Sequence, residues 1–237
     1  MLKVDLHMHT TISGDAHSTY KEYIDKALEN NMEIIGFSEH GYGMPASYLT
    51  DYCISNYRRM PKEINGLKII YGVEANIMDL DGGLDLPDER LAKLDYVIAS
   101  IHTPKNYDGT VENNTTAMIN AIRSKKMNII SHPYAPYGLA NFEEVYEEAC
   151  KNDVLLELNI SYLKKEFDYD HISLIKKMIE IVKKHDKKLI VNTDSHNLWE
   201  LGDDSELEKY KDELGLTNDM IINNYPDELL EFLGVER

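Results

Sequence analysis

Lys3-Val4-Asp5-Leu6 is a short apolar run that ends on His7 and His9, and the same pattern recurs five more times along the chain. Glu33 to Phe37 runs into His40, and Leu67 to Val73 into Glu74. Tyr96 to Ile101 runs into His102, and Asn128 to Ser131 into His132. Leu189 to Val191 runs into Asp194 and His196. Each run has the length and apolar content of a buried strand. Histidines scattered over a surface would not track strand ends. A repeated strand-then-ligand order gathers these side chains at one end of one sheet or barrel.

Helical patterns fill the intervals. Thr19–Asn30 spaces Tyr23, Ile24, Ala27 and Leu28 as one face. Asp51–Glu63 and Asp88–Leu94 read as helices. Asn114–Lys125 carries Ala117, Met118, Ala121 and Ile122 as its stripe. Asn141 is placed to cap a helix to Lys151, with Glu143 and Glu144 in its first turn. Val154–Asn159 is a further strand, and His171–His185 an amphipathic helix. Short apolar strands separated by helices signal a parallel sheet covered by helices. Seven such units predict an α/β fold: a closed TIM-like barrel with one unit fewer, mostly parallel strands with outer helices, in one domain over residues 1–237. An open doubly wound sheet is the rival. The tail from Gly202 is polar. Residues 224–233 then read as a final helix, with Pro226 near its first turn, packed on the barrel.

The 237 residues are 43% hydrophobic, enough for one sizeable core, and the net charge is −17. So acidic a chain is unsuited to a long nucleic-acid partner, which attracts basic patches. A small phosphorylated substrate stays open, because bound metals reverse charge locally. Cys53 and Cys150 form no Cys-x-x-Cys pair, which fits a reducing cytoplasm. The first strand begins at Leu2, which leaves no room for a cleaved leader, and no apolar stretch approaches the ~18 residues of a membrane span. Oligomeric state is open, a homo-oligomer included.

In α/β barrels the functional groups follow the C-terminal strand ends, where all these candidates fall. His7 and His9 are two apart on an extended segment and so share a side. Asp194-Ser195-His196 repeats that spacing after the last strand. First and last strands are neighbours in a closed barrel, so the two pairs should meet. Imidazole with carboxylate suits zinc, iron, nickel or manganese. A lone histidine after a strand is more often a hydrogen-bonded loop residue, and Glu74 alone would be a solvated carboxylate. Six strand ends carrying such groups together weigh against accident, and Glu74 becomes a candidate bridging ligand. His171 and His185 read as surface residues. His17 follows Gly14-Asp15-Ala16 in the first loop, and spacing alone decides neither way.

Asp5-Leu6-His7-Met8-His9-Thr10 and Ser38-Glu39-His40-Gly41 resemble the first two motifs of the PHP (polymerase and histidinol phosphatase) superfamily. Glu39 stands where Asp is usual and is not expected to be a ligand. Gly72-Val73-Glu74-Ala75-Asn76-Ile77, Ile129-Ile130-Ser131-His132-Pro133, Leu156-Glu157-Leu158-Asn159 and Thr193-Asp194-Ser195-His196 look like its YcdX-like phosphatase subgroup, and the resemblance covers nearly the whole chain. It implies a distorted (βα)7 barrel with three divalent ions, zinc first, with manganese or iron as alternatives. By the same resemblance His7, His9, Glu74 and Asp194 hold the first ion. Glu74, His102 and His132 hold the second, and His17, His40 and His196 the third. No counterpart is found for the arginines with which histidinol phosphatases hold phosphate: Asn159 to Asp170 offers only Lys164 and Lys165.

The expected chemistry is phosphoric monoester hydrolysis at a trinuclear centre, with metal-bound hydroxide attacking phosphorus. Glu74 and Asp194 are the expected catalytic carboxylates, Asp194 or a histidine passing a proton to the leaving group. Phosphodiester hydrolysis on short substrates and a non-catalytic metal-binding module are the rivals. Lys105, Tyr107, Tyr134, Tyr137, Tyr162 and Trp199 lie on loops after strands and are candidates for lining the pocket.

Overall fold

The computed structural model describes residues 1–102 and 106–236. Its elements run β1 (Val4–Asp5), α1 (Tyr20–Glu29), β2 (Ile34–His40), α2 (Asp51–Asn56), β3 (Glu63–Ile64) and β4 (Leu67–Asn76). There follow α3 (Asp88–Leu91), β5 (Tyr96–Ser100), α4 (Val111–Ser124), β6 (Ile129–Ile130), α5 (Phe142–Lys151) and β7 (Leu155–Asn159). The chain ends with α6 (Ile160–Leu163), α7 (His171–Lys184), β8 (Ile190–Asn192), α8 (Ser205–Leu214) and α9 (Pro226–Leu233). The strand order is β1-β2-β4-β5-β6-β7-β8, every neighbour parallel, with β3 antiparallel on β4. Seven parallel strands thus form a nearly closed barrel with helices around it, as the strand-and-helix alternation predicts.

Side-chain stitches draw the ends of the sheet together. Met8 and Ser195 form an isolated parallel bridge, with His9 N donating to Ser195 O at 2.8 Å. Below it, Leu6 N donates to Asn192 Oδ1 at 2.9 Å. Buried Asn223 accepts from Val191 N at 2.9 Å and donates to Val4 O at 2.9 Å and Val191 O at 2.6 Å. Asp5, fully buried, takes the Thr193 hydroxyl at 2.5 Å, and burial pushes its carboxyl up to about 6.

Alternation along the strands divides the apolar residues into two cores. One set, including Ile35, Phe37, Tyr71 and Val97, packs under the helices. The other, including Leu6, Ile34, Ile70, Ile98, Ile129, Leu155 and Ile190, fills the barrel. Leu229, Leu230 and Leu233 of α9 join this inner set and close the barrel at the N-terminal strand ends. Gly36 and Gly72 admit the Tyr96 ring: a Cβ on either would come within 2.7 Å of it. Tyr96 Oη donates to Leu6 O at 2.6 Å. With that end plugged, the opposite end is left for the polar strand termini.

Three local expectations change. The helix expected over Asp51–Glu63 stops at Asn56 and tightens into a 3-10 turn at Tyr57–Arg59. Pro61, with no N–H to donate, follows, and the chain then pairs as β3. The polar stretch after Gly202 contains α8, which buries Leu207 and Leu214 two turns apart and ends on Gly215 in the left-handed region. Asn141 stands at the start of α5, but its side chain donates to Glu144 and caps no backbone N–H. Among the described residues no helix is long and apolar enough to cross a membrane.

Asn223→Ala leaves one buried N–H and two buried carbonyls at the seam without partners. Each buried orphan costs ~1–3 kcal/mol, so a loss on the order of 3 kcal/mol is expected in urea unfolding. A change within experimental error would show that the seam does not depend on this side chain.

Candidate metal centre

The longest strand, β4, delivers Glu74 to the polar end of the barrel, beside His40 in the parallel register with β2. Its buried carboxylate is ringed by imidazoles. Oε2 lies 3.1 Å from His40 Nδ1, 3.4 Å from His7 Nε2, 3.5 Å from His102 Nε2 and 3.6 Å from His9 Nε2. Oε1 lies 2.9 Å from His132 Nε2. Asp194 Oδ1 sits 3.2 Å from His9 Nε2 and 3.4 Å from His7 Nε2, so first and last strand ends do meet. His132 and Asp194 hold positive φ, +27° and +55°. Strained backbone of this kind concentrates at functional sites.

Donor atoms within 4.8 Å of one another form four groups: His7, His9 and Asp194; His7, Glu74 and His132; His40, Glu74 and His102; His9, His40 and His196. Eight of the nine expected ligands are therefore brought together. The ninth, His17, is exposed and belongs to none of these groups, although its backbone N–H donates to His196 O at 2.8 Å. Asp15, likewise in none of the four groups, places Oδ2 3.1 Å from His40 Nε2 and 3.5 Å from His196 Nε2.

The donor set fits cations. His7 Nε2, His9 Nε2, His40 Nδ1 and Glu74 Oε2 are buried with no hydrogen-bond partner. Buried polar atoms are ordinarily satisfied, and these converge on one space. The electrostatics agree. Burial favours a neutral Glu74, but His102, His7, His132 and His40 outweigh it and hold its carboxyl well below the usual range. Asp194 behaves likewise, chiefly through His7 and His9. Burial drives His9 down to about 3 and His102 to about 4. For His40, Asp15 and Glu74 overcome burial and lift it to about 10.

A supporting shell fixes the rings, and sequence reading left it out. Glu157 Oε1 meets His7 Nδ1 at 2.7 Å and accepts from Asn192 at 2.8 Å, while its Oε2 accepts from His132 N at 2.9 Å. Ser13 Oγ meets His9 Nδ1 at 3.0 Å and donates to Glu39 at 2.6 Å. Glu39 also accepts from Thr10 and lies in none of the four groups. Asn76 Oδ1 meets His102 Nδ1 at 2.8 Å. A glutamate between leucines on a buried strand is a signal that could have found Glu157.

The centre opens into a cavity of about 350 Å3, walled beyond the ligands by Met44, Pro45, Tyr137 and Tyr162. Tyr162 stacks on His132 with centroids 5.2 Å apart, and Lys165 lies over its other neighbourhood, 4.1 Å from the ring centre. Tyr134 is fully buried, Trp199 is 78% exposed, Tyr107 is half-buried away from this wall, and Lys105 lies outside the described residues. Lys164 is drawn to Asp203 at 3.3 Å. His171 is buried against Phe167 and not a surface residue, because the ring fills a gap between α7 and the loop before it. His185 is half-buried and meets Glu147 at 2.7 Å.

Comparison with known proteins gives the same picture. Residues 5–194 match the PHP domain. A "Probable phosphatase" of Clostridium botulinum (strain Okra / Type B1) is 34% identical over 231 residues, covering 97% of this chain and 93% of that protein. One from Clostridium novyi (strain NT) is 35% identical over 233 residues, with the same coverage. Among solved structures, a histidinol phosphate phosphatase from Lactococcus lactis, complexed with zinc, L-histidinol and phosphate, superposes with a TM-score of 0.62. It is 19% identical, over 90% of this chain and 94% of that one, which speaks to the fold. The family match over most of the chain and the relatives' full-length identity agree: this chain belongs to the PHP domain family.

Proposed function

We propose that the protein is a phosphatase that hydrolyses small phosphate monoesters with three divalent ions. The observation that carries this reading is the set of orphaned buried donors around Glu74. The names of its relatives support ester hydrolysis. His7, His9, Glu74 and Asp194 would hold one ion, Glu74, His102 and His132 a second, and His40, His196 and Asp15 the third. Zinc heads the candidates, with manganese or iron next, since imidazole and carboxylate suit all three. Such ions supply Lewis-acid stabilisation of phosphoryl charge and lower the pKa of water.

The chain's own residues divide the remaining work. Glu74 offers an oxygen to each side of the cluster and offsets cationic charge. Asp194 is half-buried at the cavity wall, with Oδ2 accepting from Asn159 at 3.1 Å. That position puts it beside the space a leaving group would occupy. Glu157, Ser13 and Asn76 keep the imidazoles in one tautomer and orientation. Among the described residues no arginine lines the cavity, and the ions would supply the positive charge that meets a phosphate group. Its modest volume and the acidic surface favour a small monoester over a nucleic-acid chain.

The metal-loaded protein should hydrolyse p-nitrophenyl phosphate, act more slowly on bis(p-nitrophenyl) phosphate, and lose turnover on chelation. Robust turnover by fully demetallated protein would sink this reading, and a preference for the diester would redirect it to phosphodiester chemistry. Elemental analysis should find about one ion per chain fewer in Asp15→Ala and no change in His17→Ala. The reverse result returns the third site to His17. Glu157→Ala should weaken metal affinity roughly 10–100-fold, with activity recovering as metal is added. Unaltered affinity would reduce Glu157 to a packing role.

A further inference from the structure

A second cavity, of about 640 Å3, lies on the flank formed by α2, the Tyr57–Arg59 turn and the segment leading to β3. Its charged lining is Arg58, Arg59, Lys62 and Lys93, and no carboxylate lines it. That contrasts with the rest of a chain carrying −17. Elsewhere Lys21 is paired with Asp25, Arg123 with Glu148 and Lys187 with Asp153. Here the adjacent acids are already engaged. Asp51 takes Arg90 at 3.0 Å and the Tyr42 hydroxyl. Asp95 takes Lys62 at 2.5 Å and Tyr71 N at 2.7 Å. Among the described residues, no ion pair reaches Arg58, Arg59 or Lys93.

The segment bearing these cations is anchored. Tyr57 is buried and stacks on Tyr71 with centroids 5.1 Å apart. Tyr71 Oη donates to Pro61 O at 2.9 Å, and Ile69 N to Lys62 O at 2.9 Å. Little ordering would therefore be needed on binding. Tyr52, 77% exposed, stands at the same cavity with a free ring. Arginine guanidinium groups match phosphate oxygens with paired donors, and lysine adds point charge. A single phosphate dianion would leave the lining net positive. The volume falls in the range of about 300–1,000 Å3 usual for small-molecule sites. Lys62 precedes β4 and Lys93 precedes β5, whereas Glu74 stands near the far end of β4, so this is not the metal cavity.

We propose that this cavity binds a small polyanion carrying two or more linked phosphates, at a site separate from the metal centre. The test is calorimetric titration of metal-loaded protein with inorganic pyrophosphate at physiological salt, in wild type and in the Arg58→Ala/Arg59→Ala double variant. Any binding at the metal centre is common to both. The wild type should show an additional class of site that the double variant loses or binds roughly tenfold more weakly. Lys93→Ala should weaken the same class to a lesser degree. Both arginine side chains are exposed and unpaired, so the melting temperature of the double variant should match wild type, which separates lost binding from lost fold. Superimposable isotherms would overturn the proposal. So would tighter binding of a single-stranded oligoadenylate through the same arginines, which would make the face a strand-binding surface.

Discussion

A buried carboxylate surrounded by imidazoles is the constraint on which the rest of this structure turns. Glu74 has no exposure worth counting, and five histidine rings approach its two oxygens. An isolated carboxylate there would be too costly to keep charged. The barrel solves this by ending several strands on histidine at one level. Register does the placing: with His40 opposite Glu74 and Glu74 opposite Ile98, β2, β4 and β5 present their polar termini together. A one-residue slip of β4 would turn Glu74 away from the ring and carry Gly72 away from Tyr96.

That demand explains the asymmetry of the barrel. The inner apolar set and α9 fill one end, so stability is concentrated where no chemistry is needed. At the other end the backbone accepts strain at His132 and Asp194 and polar atoms without partners. Between the two lies a layer of buried polar links. Asp5 with Thr193, Asn223 with Val4 and Val191, and Glu157 with His7 and Asn192 tie the first and last strands to their neighbours. Very short strands such as β1 and β6 leave few ladder bonds, and these side chains supply the difference.

How much of this was legible in the sequence follows from what each feature depends on. Strand ends carrying histidines depend on local pattern, and eight of nine ligand positions converge as that pattern implied. The parallel order follows from the same alternation. That Asp15 and not His17 contacts His40 and His196 depends on the path of one loop after Gly14, whose φ of +85° no periodicity reveals. Glu157 and Asn76 act on histidines of other strands and Ser13 on one four residues away, and of these contacts only the buried Glu157 leaves a trace in the pattern. The helix α8 is hard to read because Leu207 and Leu214, with a partly buried Tyr210 between them, are its inward face on a charged segment. The early end of α2 has a local cause, the 3-10 turn at Tyr57–Arg59 followed by Pro61.

The charges of the cluster are also balanced among its own side chains. A cavity of like charges would not close. Here protonation alternates instead. Although burial opposes it, Glu157, Asp194 and Glu74 favour a charged His7, and Asp15 and Glu74 a charged His40. Burial, with charged neighbours beside it, keeps His9 and His102 neutral. The carboxylates thus find counter-charges in some rings while other rings stay as free bases. Glu74 and Asp194 each meet several of these rings, and through them the strand ends are held at one level.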